Sequence, residues 1–257
     1  DQVQFSDDPK PLRFLSGGSE ELHPVLFSMA QGLGLLLMSI IATIPLFTTA
    51  FLSTRSFIWF GNIGIVLFPA FVVGGCFIHL LLISLSKWVI IGKFQEGKAK
   101  KFSWFFLKWW LVRRILQVPR LYTWIFDETI LSSAYLRILG ANIGSNVHVE
   151  QPYLLEPDLV SVGDNCVAEF EVQFATSEIR GDYLELRKVH IGNNVKVGVR
   201  AILLGGTTVH DGCEVGAKAI LDFSTSSTGP CQMLPSPIDQ DKETDGEIWR
   251  PNRGWLY

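Results

Sequence analysis

The sequence predicts a parallel β-helix carried on a membrane helical hairpin. Three observations predict it: two long uncharged apolar runs, a strongly basic stretch after them, and a six-residue aliphatic period in the C-terminal half. Composition agrees. Hydrophobic residues make up 48% of the 257 and charged residues only 18%, against about a quarter charged in soluble domains. With a mean hydropathy of +0.27, disorder is excluded as the main state. The four cysteines (Cys76, Cys166, Cys213, Cys231) share no CxxC spacing. They argue against a zinc ribbon, give no disulfide framework, and fit a reduced, cytosol-facing compartment. The chain begins at Asp1, which leaves open that it is a piece of a longer protein.

After a polar segment, 1–22, the first apolar run extends from His23 to Thr54 with no charged side chain other than His23 itself. It exceeds the roughly 20 residues that cross a bilayer. A signal peptide fits poorly, because the apolar core is too long, no basic region precedes it and a second span follows directly. Arg55 interrupts, and Ser56–Ser86 is again uncharged. A tight turn is expected at Ser53–Ser56, closing a two-helix hairpin over 23–87. Pro45 and Pro69 are tolerable in such helices. His79 lies inside the second run, where a helix-contact or interfacial role is favoured over a functional one. The competing reading of both runs is a pair of buried helices in a soluble core.

Residues 88–140 form the third segment. From Lys87 to Arg120 there are nine Lys or Arg and one acid, Glu96. A basic excess beside a span marks the cytoplasmic side, and a hairpin then puts both its ends there. Phe102, Trp104, Phe105, Phe106, Trp109 and Trp110 are interleaved with the basic residues. Such a mixture can serve single-stranded nucleic acid. Next to a membrane hairpin it reads instead as interfacial helices on anionic headgroups, so no nucleic acid is expected. A further helix over Leu121–Leu139 would end at Gly140.

The C-terminal half repeats. Every sixth residue from Ile191 is aliphatic: Ile191, Val197, Leu203, Val209, Val215, Leu221. An earlier frame gives Ile143, Val149 and Leu155, then, after a one-residue slip, Val162, Ala168 and Phe174. Three short strands per turn, each sending one aliphatic side chain inward, build a triangular prism of stacked coils. About eighteen residues per turn makes roughly four coils over 141–222. Between Phe174 and Ile191 the period fails, and a side loop or irregular coil is expected there. Such a loop carries function or is a neutral insertion. The tail 223–257 leaves the period and reads as loop, with an aromatic end (WRPNRGWLY) suited to docking on the β-helix flank.

The hexads IGSNV, VGDN and IGNNVKVG resemble the hexapeptide-repeat acyltransferases. The resemblance implies a left-handed parallel β-helix, a homo-trimer, and acyl transfer from thioester donors. The order sharpens it: a membrane pair, then KWVIIGKF, FFLKWWLVRRIL, LRILGANIGSNVHVE, DLVSVGDNC and KVHIGNNVKVG. That order resembles the membrane-embedded C-terminal region of ε-poly-lysine-synthetase-type nonribosomal peptide synthetases, over roughly Leu22 to Leu221. It implies adenylation and carrier domains as partners upstream, the lipid bilayer as a further partner, and an aminoacyl or acyl thioester of phosphopantetheine or CoA as donor. No cofactor bound to this chain is implied. In that family a histidine is expected on an LQxH-like pattern in the stretch VQFATSEI, where Ala175 stands here.

Acyl transfer to an amine needs a base and oxyanion donors. The β-helix segment offers His148, His190 and His210. His190, beside the irregular segment and one residue before an inward-facing Ile191, is the expected catalytic base, pointing into a cleft between subunits. The bland reading is a surface histidine. His210 reads as a turn residue, and His148 as one that contacts the basic bridge. His190 and His210 lie nearly one coil apart, yet the closely spaced histidine pair of zinc-binding β-helices is absent, so no metal is expected. Glu169 and Glu171 share a strand face toward solvent, and Cys166 and Cys213 read as packed or solvent-facing rather than as nucleophiles. The functional expectation is a multi-pass membrane acyltransferase-like module with its β-helix in the cytoplasm, joining an acyl group to an amine. Its rivals are a non-catalytic trimerising scaffold, which Ala175 favours, and an O-acyltransferase acting on a lipid or sugar.

Overall fold

The computed structural model describes residues 12–117 and 129–222. Helix α1 runs from Pro24 to Phe60, α2 from Asn62 to Val66 and α3 from Phe68 to Ile90. Both long elements are long and apolar enough to cross a membrane, and little of either is buried within the protein. His79, on α3, is buried. The turn of the hairpin is not at Ser53–Ser56, as the charge pattern suggests, but at Gly61. The Ser53 and Thr54 hydroxyls donate to the carbonyls of Thr49 and Ala50 one turn back, so that stretch stays helical. Arg55 remains in the helix and stacks on Trp59, 5.2 Å from the ring centre. Gly61 takes φ +56° and ψ −131°, a region open in practice to glycine alone. A Cβ at Gly64 would lie 2.6 Å from the Ser56 backbone, so α2 needs a second glycine where it packs back on α1.

The C-terminal half is a β-helix of four coils. The first coil holds β2 (Asn142–Ile143), β3 (His148–Val149) and β4 (Tyr153–Leu154). The second holds β5 (Val160–Val162), β6 (Val167–Ala168) and β7 (Gln173–Ala175). The third holds β10 (Val189–Ile191), β11 (Lys196–Val197) and β12 (Ile202–Leu204), and the fourth β13 (Thr208–Val209), β14 (Glu214–Val215) and β15 (Ile220–Leu221). Three parallel four-stranded sheets result, ordered β13-β10-β5-β2, β14-β11-β6-β3 and β15-β12-β7-β4. Their registers stack Ile143, Val162, Ile191 and Val209 in one inward column, and Val149, Ala168, Val197 and Val215 in the next. The third column is Leu154, Phe174, Leu203 and Leu221. Here the expected frame is corrected by one residue: Leu154, not Leu155, faces its rung neighbour. Leu155 turns away and packs against the helices below.

Corner residues follow from the coil. Asn146, Asn165 and Asn194 recur with φ between 52° and 55°, the left-handed region that asparagine tolerates. The glycines after the inward Ile143, Val162 and Ile191 have a different cause. A Cβ on Gly163 would stand 2.6 Å from the Gly192 carbonyl oxygen, so Gly163→Ala forces the rungs apart. It should cost about 1–3 kcal/mol, visible as a lowered midpoint in thermal unfolding followed by β-sheet circular dichroism. Glu169 and Glu171 pair with Lys196 and Arg200 of the next coil at 3.2 and 2.8 Å, which makes them corner ties. Cys76 and Cys166 are free and buried, whereas Cys213 is disulfide-bonded, against the expectation of no disulfide framework.

The break in the period is a hairpin, β8 (Ser177–Arg180) and β9 (Tyr183–Leu186). It reaches back to β1 (Gly97–Lys100), giving an antiparallel sheet β1-β9-β8. Leu184 and Leu186 of this insertion are fully buried, so the segment fastens the β-helix to the part of the chain next to the hairpin. Helix α4 (Trp104–Gln117) lies between them. Its Leu111 and Trp110 come within 3.1 and 3.5 Å of where a Gly34 Cβ on α1 would be. Val112, Ile115 and Trp109 on α4 share a buried cluster with Leu155, Leu159, Leu184 and Leu186. The α4 part of the basic-aromatic stretch is therefore a wedge inside the protein, while Phe102 and Trp104 stay exposed. Helix α5 (Ile130–Ile138) then leads into the first coil. The helix expected over Leu121–Leu139 is described only in this part, and the tail 223–257 lies outside the described residues.

Candidate functional site

His190 lies on β10 between buried Val189 and Ile191, with its own side chain outward. The registers set it in an outward row with Ser161 on one side and Thr208 on the other. Asn142 continues the row on β2 and donates to the Ser161 hydroxyl at 3.2 Å. His210 is also exposed, at the turn after β13. Hydrogen bonds from the Asn193 backbone and side-chain amides hold the Asp211 carboxyl below its ordinary value, and the nearby His190 and His210 add to this. The structure thus brings both histidines near one carboxylate. Among the described residues no three His, Cys, Asp or Glu side chains gather as a metal site. His148 is exposed on β3, on a different sheet of the prism.

Chemically, an exposed imidazole flanked by two hydroxyls offers a proton acceptor and donors for a developing oxyanion. Among the described residues the face carrying it is an exposed strand surface. The backbone amide of His190 is already engaged with the Thr207 carbonyl at 3.0 Å, so oxyanion donors must come from the Ser161 or Thr208 hydroxyls or from a facing surface.

A second polar cluster was not visible from the sequence. Glu156, at the start of the short turn Pro157–Leu159, is 1% exposed. Its Oε1 accepts from the Trp109 indole N–H at 2.7 Å, and its Oε2 from the Thr176 hydroxyl at 2.8 Å. The Arg113 guanidinium stands 3.6 Å from Oε1 and donates to the Ser177 hydroxyl at 2.9 Å. Two residues on, Asp158 is buried against Lys87 of α3 at 2.6 Å, and its Oδ2 also accepts from the Phe94 amide. The only sequence signal was an acidic pair, EPD, inside an otherwise apolar stretch. Ala175, the position where the resemblance expects a histidine, ends β7 directly before Thr176. It is half-buried, and its carbonyl accepts from the Gly205 amide. With Glu156 sealed from solvent, this cluster joins α4 to the β-helix and offers a substrate no direct access.

No family model matches the chain. Over 172 residues, 63% of its length, it is 28% identical to the delta-poly-L-ornithine synthetase of Acinetobacter baumannii strain AB307-0294. It spans only 12% of the length of that relative. Among solved structures, a maltose O-acetyltransferase from Clostridium difficile 630 is 20% identical with a TM-score of 0.31. That match covers 42% of this chain and 74% of that one. A hexapeptide-repeat-containing acetyltransferase from Vibrio cholerae gives 16% and 0.27, over 37% of this chain and 73% of the other. These structural likenesses are too slight to bear on function, and the β-helix rests on the stacked registers of the chain itself.

Proposed function

We propose that the chain is a membrane-anchored acyltransferase-like module that joins an aminoacyl or acyl group, carried as a thioester, to an amine at the cytoplasmic membrane face. The observation that carries the reading is the joint order of hairpin, wedge helix and four-coil β-helix, in a chain whose relative is named for making poly-ornithine. A synthetase of that name must form amide bonds, and carrier and adenylation domains would then supply the activated group. The α1–α3 hairpin would hold the module in the bilayer, since a surface bearing Leu33, Phe47, Trp59, Val66 and Leu81 at more than half exposure is not tolerated in water. The basic excess of 87–120 orients its ends to the cytoplasm.

In the reaction the amine attacks the thioester carbonyl while His190 takes the amine proton. The tetrahedral oxyanion is met by the row hydroxyls, the carbon–sulfur bond breaks, and the imidazolium returns the proton to the leaving thiolate. Amide and free thiol result. A neighbouring copy in a trimer would supply a facing wall for the site.

His190→Ala in membranes containing the full chain should lower amide formation from an aminoacyl thioester by about 10²–10⁴-fold, with β-sheet circular dichroism unchanged. Equal product from the variant removes His190 as base. No product from the unaltered chain with any thioester donor favours the second reading, a trimerising scaffold, for which Ala175 in place of the expected histidine is the specific observation.

A further inference from the structure

We infer that α5, rather than the basic-aromatic α4, is the helix that meets the bilayer surface, and that through it the first coil of the β-helix is held against the headgroup layer. The inference rests on the reading of α1 and α3 as membrane-spanning. α4 offers lipid less, because Leu107, Trp109, Val112, Ile115 and Leu116 are buried in the protein and its exposed large apolar residue, Trp104 at 49%, stands at its first position. α5 is different. It exposes Leu131 at 47% and Ile138 at 54%, seven residues apart and so on one helical face.

That face continues a lipid-facing stripe. α3 exposes Leu81, Leu85 and Val89, spaced by four, with Trp88 at 45% beside them. The Trp88 indole N–H donates to the Ile138 carbonyl at 3.0 Å, which ties the last turn of α3 to the last turn of α5. The two apolar stripes therefore meet, and they meet at a tryptophan, the residue that favours the headgroup level. The occupant that follows from this continuity is the acyl-chain and headgroup boundary of the same bilayer.

The opposite side of α5 is fixed to the β-helix. Leu136 joins the core of the prism. The Ser133 hydroxyl donates to the Val147 carbonyl at 3.1 Å, and Arg137 donates to the carbonyls of Ile143 and Gly144. A helix pinned in this way cannot settle on the membrane without bringing the first coil with it. His190 stands two rungs further along, about 10 Å at the usual strand spacing. A site at that height favours substrates arriving from the aqueous side over acylation of a lipid headgroup.

The test attaches an environment-sensitive fluorophore to Leu131→Cys or Ile138→Cys, with Leu85→Cys and Ile220→Cys as references. Ile220 is exposed in the fourth coil, and the unaltered chain, whose Cys76 and Cys166 are buried, sets the background. The full chain is placed in nanodiscs of phosphatidylcholine and phosphatidylglycerol brominated near either end of the acyl chain. Expected is loss of emission at Leu85 in both lipids, at Leu131 and Ile138 mainly with bromine near the glycerol end, and none at Ile220. Leu131 and Ile138 as unquenched as Ile220, with Leu85 quenched, overturns the α5 contact and leaves the membrane hairpin standing. Unquenched but blue-shifted emission at Leu131 overturns it in favour of a second protein copy. Loss of quenching at Leu85 as well removes the membrane reading itself.

Discussion

Replacing Lys87 by Met should destabilise the protein by about 3–5 kcal/mol, the range seen when one partner of a buried ion pair is removed. Lys87 and Asp158 are 0% and 1% exposed and 2.6 Å apart. Asp158 Oδ2 also caps the Phe94 amide at 3.0 Å, while Oδ1 has no hydrogen-bond partner among the described residues. Without the ammonium, the carboxylate is a lone charge in an apolar setting. Adding Asp158→Asn should return most of the loss, because an amide oxygen still accepts from Phe94 and no charge is stranded. Thermal unfolding in detergent, for single and double variants, checks this. A Lys87→Met chain as stable as the original at pH 7 would show that hairpin and β-helix are not held together there.

The parts of the fold that were legible share a physical cause. Ile191, Val197, Leu203, Val209, Val215 and Leu221 are inward because each side of the prism admits one side chain per strand, a rule that one sequence displays in full. The slip in the earlier frame was visible, but its location was not. Leu154 and Leu155 are equally apolar, and what separates them is that Leu155 finds a partner cluster in α4. The hairpin turn was misplaced for a related reason. Arg55 marks a break in charge, whereas the chain reverses where the backbone needs glycine, at Gly61 and Gly64. The segment at 175–190 announced itself only as an interruption. Its pairing with β1, Leu184 opposite Ala99 and Leu186 opposite Gly97, joins residues far apart in the chain. The site divides the same way. His190 was placed outward by the alternation around Ile191, and its neighbours Ser161 and Thr208 come from the registers of coils that the period alone does not align. Glu156 and Asp158 could not be paired with Trp109 and Lys87 from sequence, since nothing local marks a partner so far away.

Glu156 carries the second large effect. Glu156→Leu should cost about 3–5 kcal/mol, because it strands the buried Trp109 N–H and Thr176 hydroxyl, at roughly 1–3 kcal/mol for each lost partner, and removes the charge facing Arg113. Glu156→Gln should cost much less. Its carbonyl oxygen can accept from the indole, which can only donate, while its NH₂ turns to the Thr176 oxygen, which can do either. What remains lost is the charge assistance from Arg113, about 1–2 kcal/mol. The ordering Leu well above Gln separates a hydrogen-bonding clamp from a site where volume alone matters, since Leu and Gln both approximate the size of the original. Trp109→Phe added to Glu156→Leu removes one stranded donor and should recover part of the loss, as coupled neighbours do in a double-mutant cycle. Thermal unfolding in detergent of the unaltered chain, the two Glu156 variants, Trp109→Phe and the double variant gives these differences. The same clamp makes a statement about chemistry. Glu156 is sealed and its oxygens are occupied, so acyl transfer by the Gln variant should persist in proportion to its folded fraction. If Glu156→Gln instead abolished product while leaving the unfolding midpoint in place, Glu156 would be a reacting group. The Glu156 cluster would then replace the His190 row as the place where the amide forms.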